Sequence, residues 1–406
     1  MKYFIIIFVI YSTISQFSTA YAKDSVLSSN IFYNYTSNNT LGNNNFLKDD
    51  DKIYFGSNLK YINGNLDTYI NLINSNKNIA FDNSYIQYSI NRTTLGFGTV
   101  DRNWSYSPKS SLILSSNARP FKSIYLKYTN IDGFNTHLLS AIKGMSFEIF
   151  NGIPKSARNP YNSMLFGLRG TISTSKLDFE VMRVLQWGGD GFSNNPSRIL
   201  ETIFGSSNEG KNANINQMAG FGISYRLPET ILPLRIYGQI IGEDESGNLP
   251  SCLIYLAGTE WTGPILDKKS KLGLEIVDTQ VSLTEHNNCG PNTAYNNNTY
   301  FYTNNGISMG APIDSEGNSI EFFGNTALNS NLTFNFSIKK LNVNKKKSNS
   351  HRLSSYSKSG WTNSTGLSWK RNNLVITSEI NYQSILLEKY SDSKGIGAKI
   401  FTNLDF

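Results

Sequence analysis

The chain ends in GIGAKIFTNLDF (395–406), and this stretch decides how the rest is read. Ile396, Ala398, Ile400, Thr402, Leu404 and Phe406 fall on one face of an extended chain. Gly397, Lys399, Phe401, Asn403 and Asp405 fall on the other. Side chains in a strand alternate with a period of two. One side of this segment therefore suits lipid and the other a wet interior, the pattern of a transmembrane β-strand.

The pattern recurs. NLDTYINLINS (65–75) places Leu66, Thr68, Ile70, Leu72 and Asn74 on one face. KLDFEVMRVLQW (176–187) alternates Leu177, Phe179 and Val181 with Asp178 and Glu180, then reads as slipping phase near Met182. Segments 270–280 and 373–382 behave likewise. Connections counted back from Phe406 alternate in length. They are 384–394 (long), 370–373 (short), 342–361 (long), 328–331 (short), 280–317 (very long), 262–269 and 243–251 (moderate), 228–232 (short), 188–214 (very long) and 173–176 (short). Outer-membrane barrels have an even strand count, short periplasmic turns and long outer loops. Continuing to a first strand near 29–37 predicts an all-β fold: a closed antiparallel transmembrane barrel of about 18 strands. Its strands must close, because lipid cannot satisfy an open edge. The terminal aromatic Phe406 also resembles the signature by which such barrels are recognised for insertion.

The start of the chain agrees. MKYFIIIFVIYSTISQFSTAYA has a basic Lys2, a short apolar core and Ala20-Tyr21-Ala22, which predicts a signal peptide over 1–22. The apolar run is too short to span a bilayer as a helix. Residues 23–406 then form one barrel domain, placed in the outer membrane of a Gram-negative bacterium, in contact with outer-membrane lipids, lipopolysaccharide and the barrel-insertion machinery. Mean hydropathy is −0.32, too polar for a helical membrane protein. Lys and Arg number 37 against 30 Asp and Glu, so removing Lys2 leaves a charge of +6. That excess is spread along the chain with no long basic block, which argues against nucleic acid. Cys252 and Cys289, in an exported chain, permit one disulfide that would tie an outer strand end to the 280–317 loop.

Parity puts 101–120 outside. Within it, DRNWSYSPK (101–109) is polar and aromatic, while SSLILSSNARP (110–120) carries Leu112, Ile113 and Leu114. Such a tripeptide is out of place in bulk water. It predicts a segment folded inward as a plug or constriction, with Asp101 and Arg119 partly buried beside each other or beside a ligand, since lone buried charges are costly. The alternative is a strand top that continues to Pro120.

These residues resemble a known family. DRNWSYSP and SSLILSSNARP look like the signature segment of the capsule assembly Wzi family. QWGGDG (186–191) resembles a second signature, and LEIVDT (274–279), AYNNNTYFY (294–302) and GISMGAP (306–312) a third cluster in the same order. The resemblance implies a plugged barrel of about 18 strands with a lectin-like role, holding capsular polysaccharide on the cell surface. There are departures. Ser105 and Tyr106 follow Trp104 where the family carries Gly-Pro. Asn305 and Ile307 stand where it carries arginines. A strand begins soon after Lys23, where the family has a helical region.

The candidate ligand-binding residues are Asp101, Arg102, Trp104, Tyr106, Arg119, Gln186, Trp187 and Asp190. Trp104, Tyr106 and Trp187 offer flat faces for sugar rings, or serve as girdle aromatics, the role assigned to Trp261. Arg102, Arg119, Arg169 and Arg183 offer forked donors to acidic glycans, or pair within the lumen with Asp101, Asp178 or Glu180. Gly188-Gly189 marks a tight turn. The rival function is a general or selective porin with 280–317 as its eyelet. Catalysis is not expected. His286 beside Glu285 is the one histidine in a suitable outer loop, His137 and His351 read as turn or loop residues, and no hydrolase or metalloprotease motif occurs. No cofactor and no metal site is expected.

Overall fold

The computed structural model describes residues 25–406 except 38–40, 42–51, 76–77, 135, 137–138, 157–159, 205–214, 229, 231, 247–248, 282–288 and 390–392. The leader, His137, and His286 with Glu285 lie outside the described residues.

One antiparallel sheet closes on itself, as Asn30 to Thr36 pair with Asp405 to Lys399. The sheet contains 19 strands, one of which is the two-residue Ile79–Ala80, pairing only above Tyr85 on Leu66–Ser75; 19 − 1 leaves 18 around the barrel. In order they are Ser25–Thr36, Ile53–Asn63, Leu66–Ser75, Tyr85–Ile90, Thr93–Thr99, Lys122–Asn130, Gly144–Ile153, Met164–Ser173, Leu177–Trp187, Asn216–Arg226, Leu234–Ser246, Leu249–Ile265, Lys268–Asp278, Asn318–Ala327, Leu332–Val343, Lys358–Arg371, Leu374–Gln383 and Gly395–Asp405. Among the described residues no helix is long and apolar enough to cross a membrane; the crossing is made by strands.

The terminal strand faces as its sequence demands. Ile396, Ile400, Leu404 and Phe406 are exposed on the outer wall, while Phe401 packs inward on Phe32. Three expectations are corrected. Strands Leu234–Ser246 and Leu249–Ile265 run through most of the expected connection 243–251, pairing as far as Ser246 with Leu249. The first strand begins at Ser25 rather than near residue 29. There is no phase slip at Met182: Leu177–Trp187 pairs without interruption on both sides. Met182 and Val184 are apolar, inward positions because they abut other apolar groups inside the barrel.

Those groups come from the connection 100–121, which lies in the lumen. Leu112 and Ile113 are 0% exposed. They pack with Leu165, Met182, Met218 and Ile241 of the wall and with Tyr295, Tyr302 and Met309 of the long connection 279–317. Burying each such side chain stabilises by about 1.5–3 kcal/mol. The backbone of the tripeptide is satisfied as well, as buried polar groups must be. The Leu112 amide donates to Gln239 Oε1 at 2.7 Å, and its carbonyl accepts from the Tyr295 hydroxyl at 2.7 Å. The Ile113 carbonyl accepts from Tyr302 at 2.6 Å. Burial holds both tyrosine hydroxyls far above their usual pKa, so they stay protonated as donors.

Charge pairs fasten this element around its rim. Arg102 donates to Glu148 at 2.8 Å and lies 4.1 Å over the Phe150 ring. Arg235 donates to the Tyr106 carbonyl at 2.8 Å, and Ser107 bonds Glu275. Lys109 reaches Glu321 at 3.2 Å. Arg119 grips Asp82 with two bonds of 2.7 and 2.8 Å. This corrects the expected Arg119–Asp101 pairing: Asp82 supplies both carboxylate oxygens in the fork geometry a guanidinium prefers. Asp101 instead donates its amide to Asn83 at 2.9 Å. The long connection is itself tethered by a Cys252–Cys289 disulfide.

Two outcomes follow for purified, refolded protein. Ile400→Arg on the lipid face lowers stability by about 2–4 kcal/mol in urea unfolding from lipid vesicles, while Lys399→Gln on the inner face is near neutral. Arg102→Leu leaves Glu148 without its main partner and costs about 3–5 kcal/mol; a loss below 1 kcal/mol would show that the inward element does not depend on this pair.

Candidate functional site

Seven of the eight predicted contact residues lie in the wall or under the surface. Trp104 is 1% exposed, its ring edge-on to Phe150 at 5.5 Å, and its carbonyl accepts from Gln239. It packs the inward element and presents no face to solvent, so it neither offers a flat face to a sugar ring nor sits in an aromatic girdle. Tyr106 sits over the lumen charges; burial, with Glu180 and Asp178 nearby, pushes its hydroxyl pKa up. Arg102 and Arg119 are consumed by Glu148 and Asp82. Arg169 likewise pairs with Glu180. Burial raises the Asp101 carboxyl above its ordinary pKa, with Ser116 and Arg102 opposing. Gln186 is buried, donating to the Phe301 carbonyl at 3.0 Å and accepting from Asn216 at 2.9 Å.

Trp187 is also buried, but on the outer side of the wall. Its indole N–H donates to Asn151 at 3.1 Å. Helix α1 (Ser197–Phe204) lies over it. Asn195 caps α1 by accepting from the Ser197 amide at 3.1 Å, and Pro196 provides a preset first turn. Ile199 and Ile203, one turn apart, then pack on Phe166, Leu185, Trp187 and Ile215. Arg183 donates to the Thr202 carbonyl at the helix end, where a cation is favoured.

The eighth residue, Asp190, is exposed. The QWGGDG segment explains why. Gly188 and Gly189 have φ of +64° and +93°. A Cβ on Gly189 would meet the Tyr161 carbonyl at 2.8 Å, so only glycine allows this approach. The turn is clamped by Asn194, which accepts from the Gly189 amide at 2.8 Å, and by Tyr300, which donates to the Gly188 carbonyl at 2.9 Å. Asp190 then donates its amide to the Tyr161 carbonyl at 2.9 Å, and its carboxylate accepts from Asn162 at 3.3 Å. Tyr161 is 52% exposed. An exposed aromatic face, a primary amide and a carboxylate are thus gathered on the outer surface. Ring stacking and two kinds of hydrogen-bonding group suit a hydroxylated ring. Tyr161 and Asn162 were missed in the sequence, where the Pro160-Tyr161-Asn162 turn signal was the one clue. Among the described residues, no three His, Cys, Asp or Glu side chains group as a metal site. His351 is buried against the Ser315 carbonyl at 2.8 Å.

Residues 12–385 match the family model "Capsule assembly protein Wzi". An uncharacterised 55.8 kDa protein in a cps region of Klebsiella pneumoniae is 31% identical over 173 residues. That alignment takes in 41% of this chain and 34% of the relative, so about a third of the relative's length is matched. The structure of Wzi, an outer-membrane protein of Escherichia coli described as a carbohydrate-binding β-barrel involved in group 1 capsule assembly, superposes with a TM-score of 0.79. The identity is 19%, covering 93% of this chain and 84% of that one, which makes the fold the same. With the family model covering most of its length, this chain belongs to the capsule assembly protein Wzi family.

Proposed function

We propose that this chain is exported by its 1–22 leader to the outer membrane, binds surface polysaccharide non-covalently at its outer mouth, and helps assemble or retain that polymer on the cell. The observation that carries the reading is the Tyr161–Asn162–Asp190 cluster, held rigidly by the glycine turn above a lumen occupied by 100–121. Rigid presentation lowers the entropic cost of binding. Seven of the residues first expected to touch glycan act on this reading as the frame: Asp101, Arg102, Trp104, Tyr106 and Arg119 fix the inward element, and Gln186 and Trp187 fix the turn. Asp190 makes the contact.

A porin reading draws on one feature, a polar hollow beside the occupied part of the lumen, lined in part by Lys109, Glu321 and Lys339. Conductance across planar bilayers separates the two readings. Retention predicts steps well below those of an open 18-stranded pore for the intact chain and large steps after deletion of 103–118. Large steps from the intact chain would favour the porin.

Retention itself is measured in a deletion strain, by quantifying polysaccharide in the cell-bound and medium fractions. The expected result is a shift to the medium at constant total. Unchanged fractions would remove the proposal. Complementation with Tyr161→Ala, Asp190→Asn should leave the shift in place, with polymer affinity reduced about 3–10-fold or more, the size of a lost aromatic contact. Trp104→Phe, at a buried position, should restore retention.

A further inference from the structure

The two halves of the lumen differ. On one side Tyr125, Phe150, Leu165, Met182 and Tyr237 point inward and pack beneath the 100–121 segment. On the other, one stretch of inward positions is small or polar. Ser337, Ser364, Asn381 and Gly397 follow one another across four neighbouring strands, with Lys339, Thr362 and Gln383 in the next row. A cavity of about 160 Å³ lies between this wall and Lys109, Pro312 and Leu41 of the inward connections.

Its walls select a chemistry. Lys109 and Lys339 both meet Glu321, at 3.2 and 2.6 Å, and Ser337 donates to the same carboxylate at 2.7 Å. Glu379 stands beside them on the lining. Two ammoniums against two carboxylates leave no net charge to select an ion, since a cation meets the lysines and an anion the carboxylates. Asn381 is 3% exposed, and neither its Oδ1 nor its Nδ2 has a hydrogen-bond partner among the described residues. A buried amide that lacks partners has given up its water without replacement, which is unfavourable. It asks for a ligand that both donates and accepts. A hydroxyl does both, and a ring carrying several hydroxyls can meet the amide, the carboxylate and an ammonium together.

We propose that this cavity is a second carbohydrate subsite, sized for one neutral sugar unit, with Asn381 as its central recognition group and Glu379 beside it. Buried Leu41, Leu341, Ile385 and Leu387 lie toward the outer mouth. Toward the turn end, inward Asn335, Ser368, Thr377 and Lys399 are half-buried, so the sugar enters from the periplasmic side. The subsite lies inside the barrel, apart from Tyr161–Asn162–Asp190, and does not rest on the retention reading.

The test uses the full chain in a zwitterionic, sugar-free detergent, with glucose, galactose, N-acetylglucosamine and glucuronate as probes in saturation-transfer NMR. The expected result is saturable, millimolar binding of at least one neutral sugar in preference to glucuronate. Asn381→Leu should weaken it at least tenfold and Ser364→Phe should block it by filling the space, both read on a Tyr161→Ala background so that the outer cluster adds no binding of its own. No saturable binding by any neutral sugar, a preference for glucuronate, or binding that survives both Asn381→Leu and Ser364→Phe would overturn the proposal. Loss with Tyr161→Ala alone would assign the sugar to the outer cluster and overturn it equally. Each variant is checked for the native barrel by its heat-modifiable gel mobility, and Ser364→Phe decides if Asn381→Leu does not fold.

Discussion

Hydrocarbon offers no hydrogen bonds, and the rest of this structure follows from that. Every strand must pair on both sides, so the first and last strands meet through Asn30–Thr36 and Asp405–Lys399. Closure by 18 strands leaves a space too wide for wall side chains to fill alone. The fold therefore inverts the usual order of a small protein. Its apolar exterior faces lipid, and its buried core is assembled from its own outer connections packed on the inward side chains of the wall.

Bringing chain into that space imposes a second requirement. The inward segment carries amides, carbonyls and charges out of bulk water, and each needs a partner. The wall provides them at fixed inward positions: Glu148, Gln239, Arg235, Glu275 and Glu321. These contacts are spaced around the circumference, so the segment is held on several strands at once. Apolar packing under Leu112 and Ile113 supplies burial, and the polar contacts fix where the segment sits.

The barrel was legible because a period of two with a lipid face is imposed at every strand. The split faces of 395–406 translate directly into structure, and so does the alternation of long and short connections except at 243–251 and 262–269, where strands run on to Ser246, Leu249, Ile265 and Lys268. The inward course of 101–120 was also legible, since three consecutive apolar residues have nowhere else to go in an outer connection. Partners were harder. Arg119 finds Asp82, 37 positions away, and nothing local distinguishes Asp82 from Asp101. The apparent slip at Met182 arose because apolar residues face both sides where the lumen is filled. Trp104 and Trp187 were read as surface aromatics because a strand-end tryptophan looks the same whether it meets solvent, lipid, a folded-back loop or a covering helix. Asp190 was singled out within QWGGDG by the family resemblance, while its neighbours Tyr161 and Asn162 come from the preceding outer connection, which carries only a turn signal of its own.

The bond between Cys252 and Cys289 has a consequence for survival outside the cell. It joins cysteines 37 positions apart and encloses in one closed circuit the strand Leu249–Ile265 beyond Cys252, the strand Lys268–Asp278 and the residues that lead from it into the long connection. A surface protease that cuts once within that circuit does not divide the chain, because the sulfurs still join the two parts. The connection that carries Tyr295 and Tyr302 remains attached on its cysteine side, and the packing over Leu112 and Ile113 outlasts the cut.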